Sequence, residues 1–122
     1  MRYLNGFLCV IMILFVAVQY NDPDYAFWMV IYSIPAVWAG VAALRPAVLA
    51  CDLCIAGLVL MTAAAVAGTV YYWPTMPGWW RKDVWWIEET AREGMGMMIV
   101  TVTLSVVLFT AWRARSRAAA AD

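Results

Sequence analysis

Four long apolar stretches, separated by short polar segments, dominate the sequence. They cover residues 3–19, 25–44, 47–72 and 94–112. Each has roughly the 17–25 residues that an α-helix needs to cross about 30 Å of hydrocarbon. None shows the alternation with a period of two that marks a barrel strand. The pattern predicts an all-α integral membrane protein, a bundle of four transmembrane helices that forms a single domain over residues 1–122.

Short connections between the first three stretches predict an up-down bundle in which sequential helices pack antiparallel. Small residues four apart, in Ala36-x-x-x-Gly40 and Ala64-x-x-x-Gly68, favour close helix contacts in a membrane. Pro35 removes one helical hydrogen bond and predicts a kink in the second span. Ala17-Val18-Gln19 is a poor cleavage site, so the first stretch is predicted to remain as a helix rather than act as a signal peptide.

The composition agrees with this class. Hydrophobic residues make up 66% of the chain and charged residues 13%, whereas soluble domains average about 45–50% and about 25%. The chain therefore has too few polar residues to cover a water-soluble core. Membrane lipids are the expected surroundings, with a homo-oligomer or a larger membrane complex as further possibilities. Nucleic acid is not an expected partner.

Arginine and lysine give the expected orientation. Five of them fall on the side of the two termini, three of these in a basic tail over residues 113–122, and three fall on the other side. The positive-inside rule then predicts that both termini are cytoplasmic. In a bacterium the protein would lie in the inner membrane.

The connection before the fourth stretch is rich in tryptophan. Five of the eight tryptophans lie between positions 73 and 86. Indole rings favour the membrane–water interface, where the ring is half buried and the N–H is hydrated. The segment 83–93 has an amphipathic helical pattern. We therefore expect a short interfacial helix within residues 79–93, before the last span.

Two short polar segments hold five of the eight carboxylates. The first acidic segment is residues 21–24 and the second is residues 88–93. Hydropathy places both on the same side of the membrane, whichever way the protein is oriented. The candidate ligand-binding residues are Asn21, Asp22, Asp24, Glu88, Glu89, Arg92 and Glu93.

Within that set, the candidate metal ligands are Asp22, Asp24, Glu89 and Glu93. Oxygen ligands of this kind suit Ca²⁺, Mg²⁺ or Mn²⁺. The chain has no histidine, which excludes histidine-based zinc or haem sites. The same carboxylates could instead act as acid and base on a substrate, with Arg92 holding an anionic group.

Ordinary structural roles compete with ligand binding. Asp22 and Pro23 fit the cap and first residue of a helix, with Asp24 in its first turn. Glu88 and Arg92 have the spacing of a surface ion pair. Glu89 and Glu93, also four apart, repel each other unless water, Arg92, a cation or a proton offsets the repulsion.

Cys51 and Cys54 form a C-x-x-C motif near the start of the third stretch. The spacing suits redox or metal chemistry, but cysteine is also a common buried residue, and a structural role is favoured. Asp52, between them, is a functional candidate because ionisable groups within spans are rare. Its side chain could reach the interface or pair with Arg45 or Arg113, and pairing is favoured.

Several of these segments together resemble the transmembrane protein 220 family. The similarity lies in the N-D-P-D turn at residues 21–24, the Y-x-I-P-A-V run at 32–37 and the E-E-x-x-R-E segment at 88–93. The resemblance implies a small multi-span membrane protein and draws attention to the two acidic segments. It implies no agreed activity and no individual residue roles, and the C-x-x-C motif is not part of the pattern.

Three functional hypotheses follow from the sequence. The first is an outward-facing acidic site that binds a divalent cation or a polar lipid headgroup. The second is a non-catalytic accessory or scaffold subunit of a larger membrane complex. The third is a membrane enzyme that uses the carboxylates, for which the sequence shows no reaction-specific motif.

Overall fold

The computed structural model describes all of residues 1–122 and consists of helices joined by short turns. The helices are α1 (Arg2–Val18), α2 (Tyr25–Leu44), α3 (Asp52–Tyr71), α4 (Lys82–Trp85) and α5 (Glu89–Ala121). Two 3₁₀ turns, Gln19–Asn21 and Pro46–Ala50, follow α1 and α2. Four of the helices are long and apolar enough to cross a membrane. The prediction of an all-α membrane bundle is confirmed.

The long helices pack as two pairs, α1 on α2 and α3 on α5, and α2 joins the pairs by packing on α5. Met12, Trp28, Leu58 and Val107 are among the fully buried side chains at the centre. Helix α5 is the most buried of the four spans and α3 the least. Most of the α3 surface therefore lies on the outside of the bundle.

Helices α2 and α3 do not pack directly on each other, although a short connection joins them. An apolar cavity of about 160 Å³, bordered by Pro35, Met61 and Met97, lies between α2, α3 and α5. The expectation that each helix packs on its neighbour in sequence was therefore wrong for this pair. The turn Pro46–Ala50 packs on α5, so the chain is carried away from α2 before α3 begins.

The interfacial helix is shorter than the sequence pattern predicts. Only Lys82–Trp85 form it, and the next helix begins at Glu89. The second acidic segment therefore belongs mostly to the first turns of α5 rather than to a separate surface helix. With 33 residues, α5 is roughly 50 Å long at 1.5 Å per residue, so it extends beyond about 30 Å of hydrocarbon.

Candidate functional site

The two acidic segments meet at one end of the bundle. The turn between α1 and α2 lies beside the first turns of α5, and carboxylate oxygens of Asp24, Glu89 and Glu93 all lie within 4.8 Å of one another. We call these three residues the carboxylate cluster. Asp24 and Glu89 are exposed, and Glu93 is half-buried. Asp24 thus shares one small site with two residues that lie 65 and 69 positions later in the sequence.

Asp24 enters the cluster through a turn and a side-chain hydrogen bond. The Tyr25 N–H donates to the carbonyl of Asp22 at 3.2 Å, with Pro23 at the second position of the turn, where its fixed φ is favourable. Helix α2 begins at Tyr25 with Asp24 as its N-cap, and the Asp24 side chain does not cap the helix. Its Oδ2 instead accepts a hydrogen bond from Trp28 Nε1 at 2.9 Å.

The sequence-based assignment of Asp22 as the cap of this helix was therefore wrong. Asp22 ends the preceding 3₁₀ turn in an extended conformation. The helix begins two residues later than the Asp-Pro pair suggests, because Asp22 to Tyr25 close a turn of their own.

Glu89 and Glu93 enter the site from the start of α5. Glu89 is the first residue of the helix and Glu93 follows one turn later, so both side chains lie on the same face. Partial burial, the largest effect, raises the pKa of Glu93, and the negative charges of Glu89, Asp24 and Asp22 raise it further. The Trp28 N–H acts in the opposite direction. Glu93 lies just before the apolar part of α5, at the mouth of the bundle.

A small cavity of about 50 Å³ borders the cluster. It is lined by Gln19, Asp22, Trp28, Tyr32, Glu89, Arg92 and Glu93. A space of this size is large enough for water. It is much smaller than the roughly 300–1,000 Å³ of sites for organic ligands.

Arg92 does not form the ion pair with Glu88 that its spacing suggests. Its Nη1 donates to the carbonyls of Trp85 and Trp86, at 3.2 and 3.1 Å, and no carboxylate lies within ion-pair distance. The last carbonyls of a helix lack donors within the helix. Arg92 supplies one to the end of α4 and so links α4 to α5.

The family of the protein follows from a comparison that covers most of the chain. The model of the family described as "Transmembrane family 220, helix" matches residues 11–109. The chain belongs to transmembrane family 220. Neither the search of curated proteins nor the search of solved structures found a match. The matched range contains both acidic segments, so the resemblance inferred from their motifs is confirmed.

The carboxylate cluster of this member of transmembrane family 220 does not include every predicted residue. Asn21 and Glu88 are exposed, and neither lines the small cavity. Asp22 lines the cavity but lies outside the cluster.

Three residues of the site were missed from the sequence: Gln19, Trp28 and Tyr32. Trp28 lies four residues after Asp24, and Tyr32 a further four. This spacing on one helix face is the signal that could have found Trp28 and Tyr32; Gln19, in the preceding 3₁₀ turn, has no such signal.

At the other end of this family 220 protein, Cys51 and Cys54 form a disulfide across the first turn of α3. Asp52, between them, forms an ion pair with Arg115 at 2.6 Å. The predicted partners, Arg45 and Arg113, were therefore wrong. Arg115 projects from α5 toward α3, which packs beside it. Both side chains are at least half exposed, so the pair contributes little to stability.

Proposed function

We propose that this protein is a small membrane protein that binds a divalent cation with oxygen ligands, Ca²⁺, Mg²⁺ or Mn²⁺, in the carboxylate cluster. The observation that carries the proposal is the convergence of Asp24, Glu89 and Glu93, whose carboxylate oxygens lie within 4.8 Å of one another. These residues come from two separate segments, so the arrangement depends on the fold. Carboxylate oxygens are the ligands that these hard cations prefer.

The charges around the cluster support a cation. No lysine or arginine forms an ion pair with any of the three carboxylates, and Arg92 is engaged with backbone carbonyls. Burial raises the pKa of Glu93 and the neighbouring carboxylates raise it further, and none of the three carboxylates has a protein cation as an ion-pair partner. A bound divalent ion would offset the repulsion among the carboxylates and would gain three anionic ligands.

The size of the adjacent cavity favours an ion over a lipid headgroup. About 50 Å³ is too small for an organic group, whereas it admits water that completes the coordination of a metal. Asp22 lines this cavity and would act through such a water. Trp28, by its hydrogen bond, would keep the Asp24 carboxylate in position for the ion.

The test is thermal unfolding of the purified full-length protein in detergent, with Ca²⁺, Mg²⁺, Mn²⁺ and, as a softer ion, Zn²⁺. A cation at 100 times its dissociation constant stabilises the folded protein by about 2.7 kcal/mol. We expect this stabilisation for at least one of the three hard cations. It should be lost in Asp24→Asn, Glu89→Gln and Glu93→Gln.

Glu88→Gln is the matched control, since Glu88 is the sequence neighbour of Glu89 and lies outside the cavity. It removes the same charge and should retain the response to the cation. Equal stabilisation in Glu89→Gln and in the unsubstituted protein would contradict the proposal, as would the absence of a shift with all of the hard cations.

We also propose that the cluster faces away from the cytoplasm, with both termini inside. The excess of arginine at the end that carries the termini supports this orientation. The Cys51–Cys54 disulfide at the same end counts against it, because disulfides are rare in the reducing cytoplasm. Reporter domains fused to the carboxyl terminus test it. A reporter that fluoresces only in the cytoplasm should be active, and one that is active only after export should not. The reverse result would mean that the cluster faces the cytoplasm.

A further inference from the structure

A second cavity, far larger than the first, opens at the end of the bundle opposite the carboxylate cluster. It has a volume of about 620 Å³, within the range of sites for organic ligands. Three arginines, Arg2, Arg113 and Arg117, line it together with small residues that include Pro46 and Ala47. We call it the basic cleft. It lies between the start of α1, the turn after α2 and the end of α5.

The arginines of the basic cleft have no anionic partners in the protein. The two ion pairs of the molecule are Arg81–Asp83 and Arg115–Asp52, and neither involves an arginine of the cleft. Arg113 and Arg117 are four residues apart on α5, so they share a face, where like charges repel. Arg115, between them in sequence, is directed to Asp52 instead. The fold therefore gathers unpaired positive charge on one side of α5.

The walls of the cleft hold its shape. Thr110, which lines the cleft, accepts a hydrogen bond from Asn5 Nδ2 at 2.9 Å and donates to the carbonyl of Val106 at 2.9 Å. This contact fixes α1 against α5. The guanidinium of Arg113 lies 5.7 Å from the centre of the Phe109 ring, a cation–π contact that restricts its position. The small side chains opposite leave space for a ligand.

We propose that the basic cleft binds a phosphate group, and that its source is the headgroup of an anionic phospholipid. The planar guanidinium donates paired hydrogen bonds that match phosphate oxygens. The cleft lies where the helices leave the apolar part of the membrane, at the level where headgroups are found. A lipid of that leaflet reaches the cleft with its acyl chains along the bundle. The proposal is independent of the cation site, which is at the other end.

The experiment uses the full-length protein, freed of lipid in detergent and mixed with phosphatidylglycerol, with phosphatidylcholine or with inorganic phosphate. Retained lipid is counted by mass spectrometry of the intact complex, and thermal unfolding is followed in parallel. We expect phosphatidylglycerol to be retained and to stabilise the protein, and phosphatidylcholine to be retained far less. Arg113→Gln and Arg117→Gln should each weaken phosphatidylglycerol binding about tenfold, since each removes charged hydrogen bonds.

Arg115→Gln is the matched control, because it removes the same charge from the same turn of helix without altering the cleft. It should bind phosphatidylglycerol as the unsubstituted protein does. Arg113→Lys keeps the charge but loses the paired geometry, and should bind with intermediate affinity. All of these side chains are exposed, so the variants should fold.

Inorganic phosphate separates the two sources of the ligand. Stabilisation by phosphate that is lost in Arg113→Gln and Arg117→Gln, without selective lipid retention, would support the phosphate site and overturn the assignment to a lipid. If Arg113→Gln and Arg117→Gln behave like Arg115→Gln with every probe, the basic cleft is not a phosphate site and the proposal fails.

Discussion

The indole N–H of Trp28 donates a 2.9 Å hydrogen bond to the carboxylate of Asp24, the N-cap residue four positions earlier. Trp28 is 2% exposed, whereas Asp24 is at the surface. The bond therefore connects the packed core of the bundle to the carboxylate cluster. It also explains why Asp24, although it is the N-cap residue of α2, does not cap the helix with its side chain.

Trp28→Phe should lower the free energy of unfolding and weaken the response to cations. The substitution keeps an aromatic ring but removes the donor to Asp24. A hydrogen bond to a charged group typically contributes about 1.5–3 kcal/mol, and the smaller ring adds a packing loss. Chemical denaturation of the single variants and of Trp28→Phe with Asp24→Asn forms a double-mutant cycle. Additive effects would show that the bond does not couple the two side chains.

The protein without bound metal should become more stable as the pH falls from neutrality toward the ordinary glutamate pKa. The pKa of Glu93 is raised in the folded protein by burial and by neighbouring carboxylates. Between its unfolded and folded pKa values, the folded protein binds more protons than the unfolded chain, so the free energy of unfolding increases as the pH decreases. The added stability is lost as the pH rises through the pKa that Glu93 has in the folded protein, since Glu93 then releases its proton.

Thermal unfolding across this pH range, with a chelator present, measures the effect. Glu93→Gln should reduce the dependence of stability on pH, and Glu88→Gln should leave that dependence unchanged. An equal slope in Glu93→Gln would assign the effect to another group. In the presence of the bound cation, the stability should instead fall as the pH decreases, because the proton and the metal compete for the same oxygens.

Gly96→Ala should destabilise the bundle. A Cβ at Gly96 would overlap the hydroxyl of Tyr32, and both residues are buried. Overpacking of this kind costs about 1–3 kcal/mol. Adding Tyr32→Phe removes the atom that meets the new methyl group and should recover part of the loss.

Gly57→Ala provides the control for Gly96. Its Cβ would meet Met61 Cε at 3.8 Å, an ordinary contact. Alanine stabilises a helix interior by roughly 0.5–1 kcal/mol relative to glycine, so this variant should be neutral or slightly more stable in denaturation experiments. Equal losses at both glycines would mean that close packing of α2 on α5 is not what requires Gly96.

Thr110→Val should destabilise the protein more than Thr103→Val, although both replace a buried hydroxyl by a methyl group. Thr110 accepts the hydrogen bond from Asn5 that joins α1 to α5, and Asn5 is fully buried. Hydrogen bonds between membrane helices contribute about 0.6 kcal/mol on average, up to about 1.7. The Thr103 hydroxyl has no partner, so its loss should be neutral or stabilising. An equal change in the unfolding free energy for Thr110→Val and Thr103→Val would show that the Asn5–Thr110 hydrogen bond contributes no net stability.

The sequence by itself determined the class, the four spans and the family. Hydropathy sums over many residues, so a window of about 20 apolar positions predicts a span even when single positions are misjudged. The acidic segments could also be assigned to one end of the bundle, since each lies at the boundary of a span. The class and the spans depend on composition over long windows, and the family on short motifs; neither requires any side chain to be located.

Only the tertiary structure decided which of the acidic residues meet. Asp24 joins Glu89 and Glu93, while Glu88 and Asn21, equally acidic or polar and in the same segments, lie outside the cluster. In the folded protein Arg92 donates to the carbonyls at the end of α4, and Arg115 forms an ion pair with Asp52. Spacing along the chain favoured other partners for Arg92 and for Asp52. The physical reason is that a side-chain partner depends on where a second, distant helix lies and how it is rotated. Packing of α5 against the other three spans sets the position and the rotation of the helices, and neither can be predicted from local sequence.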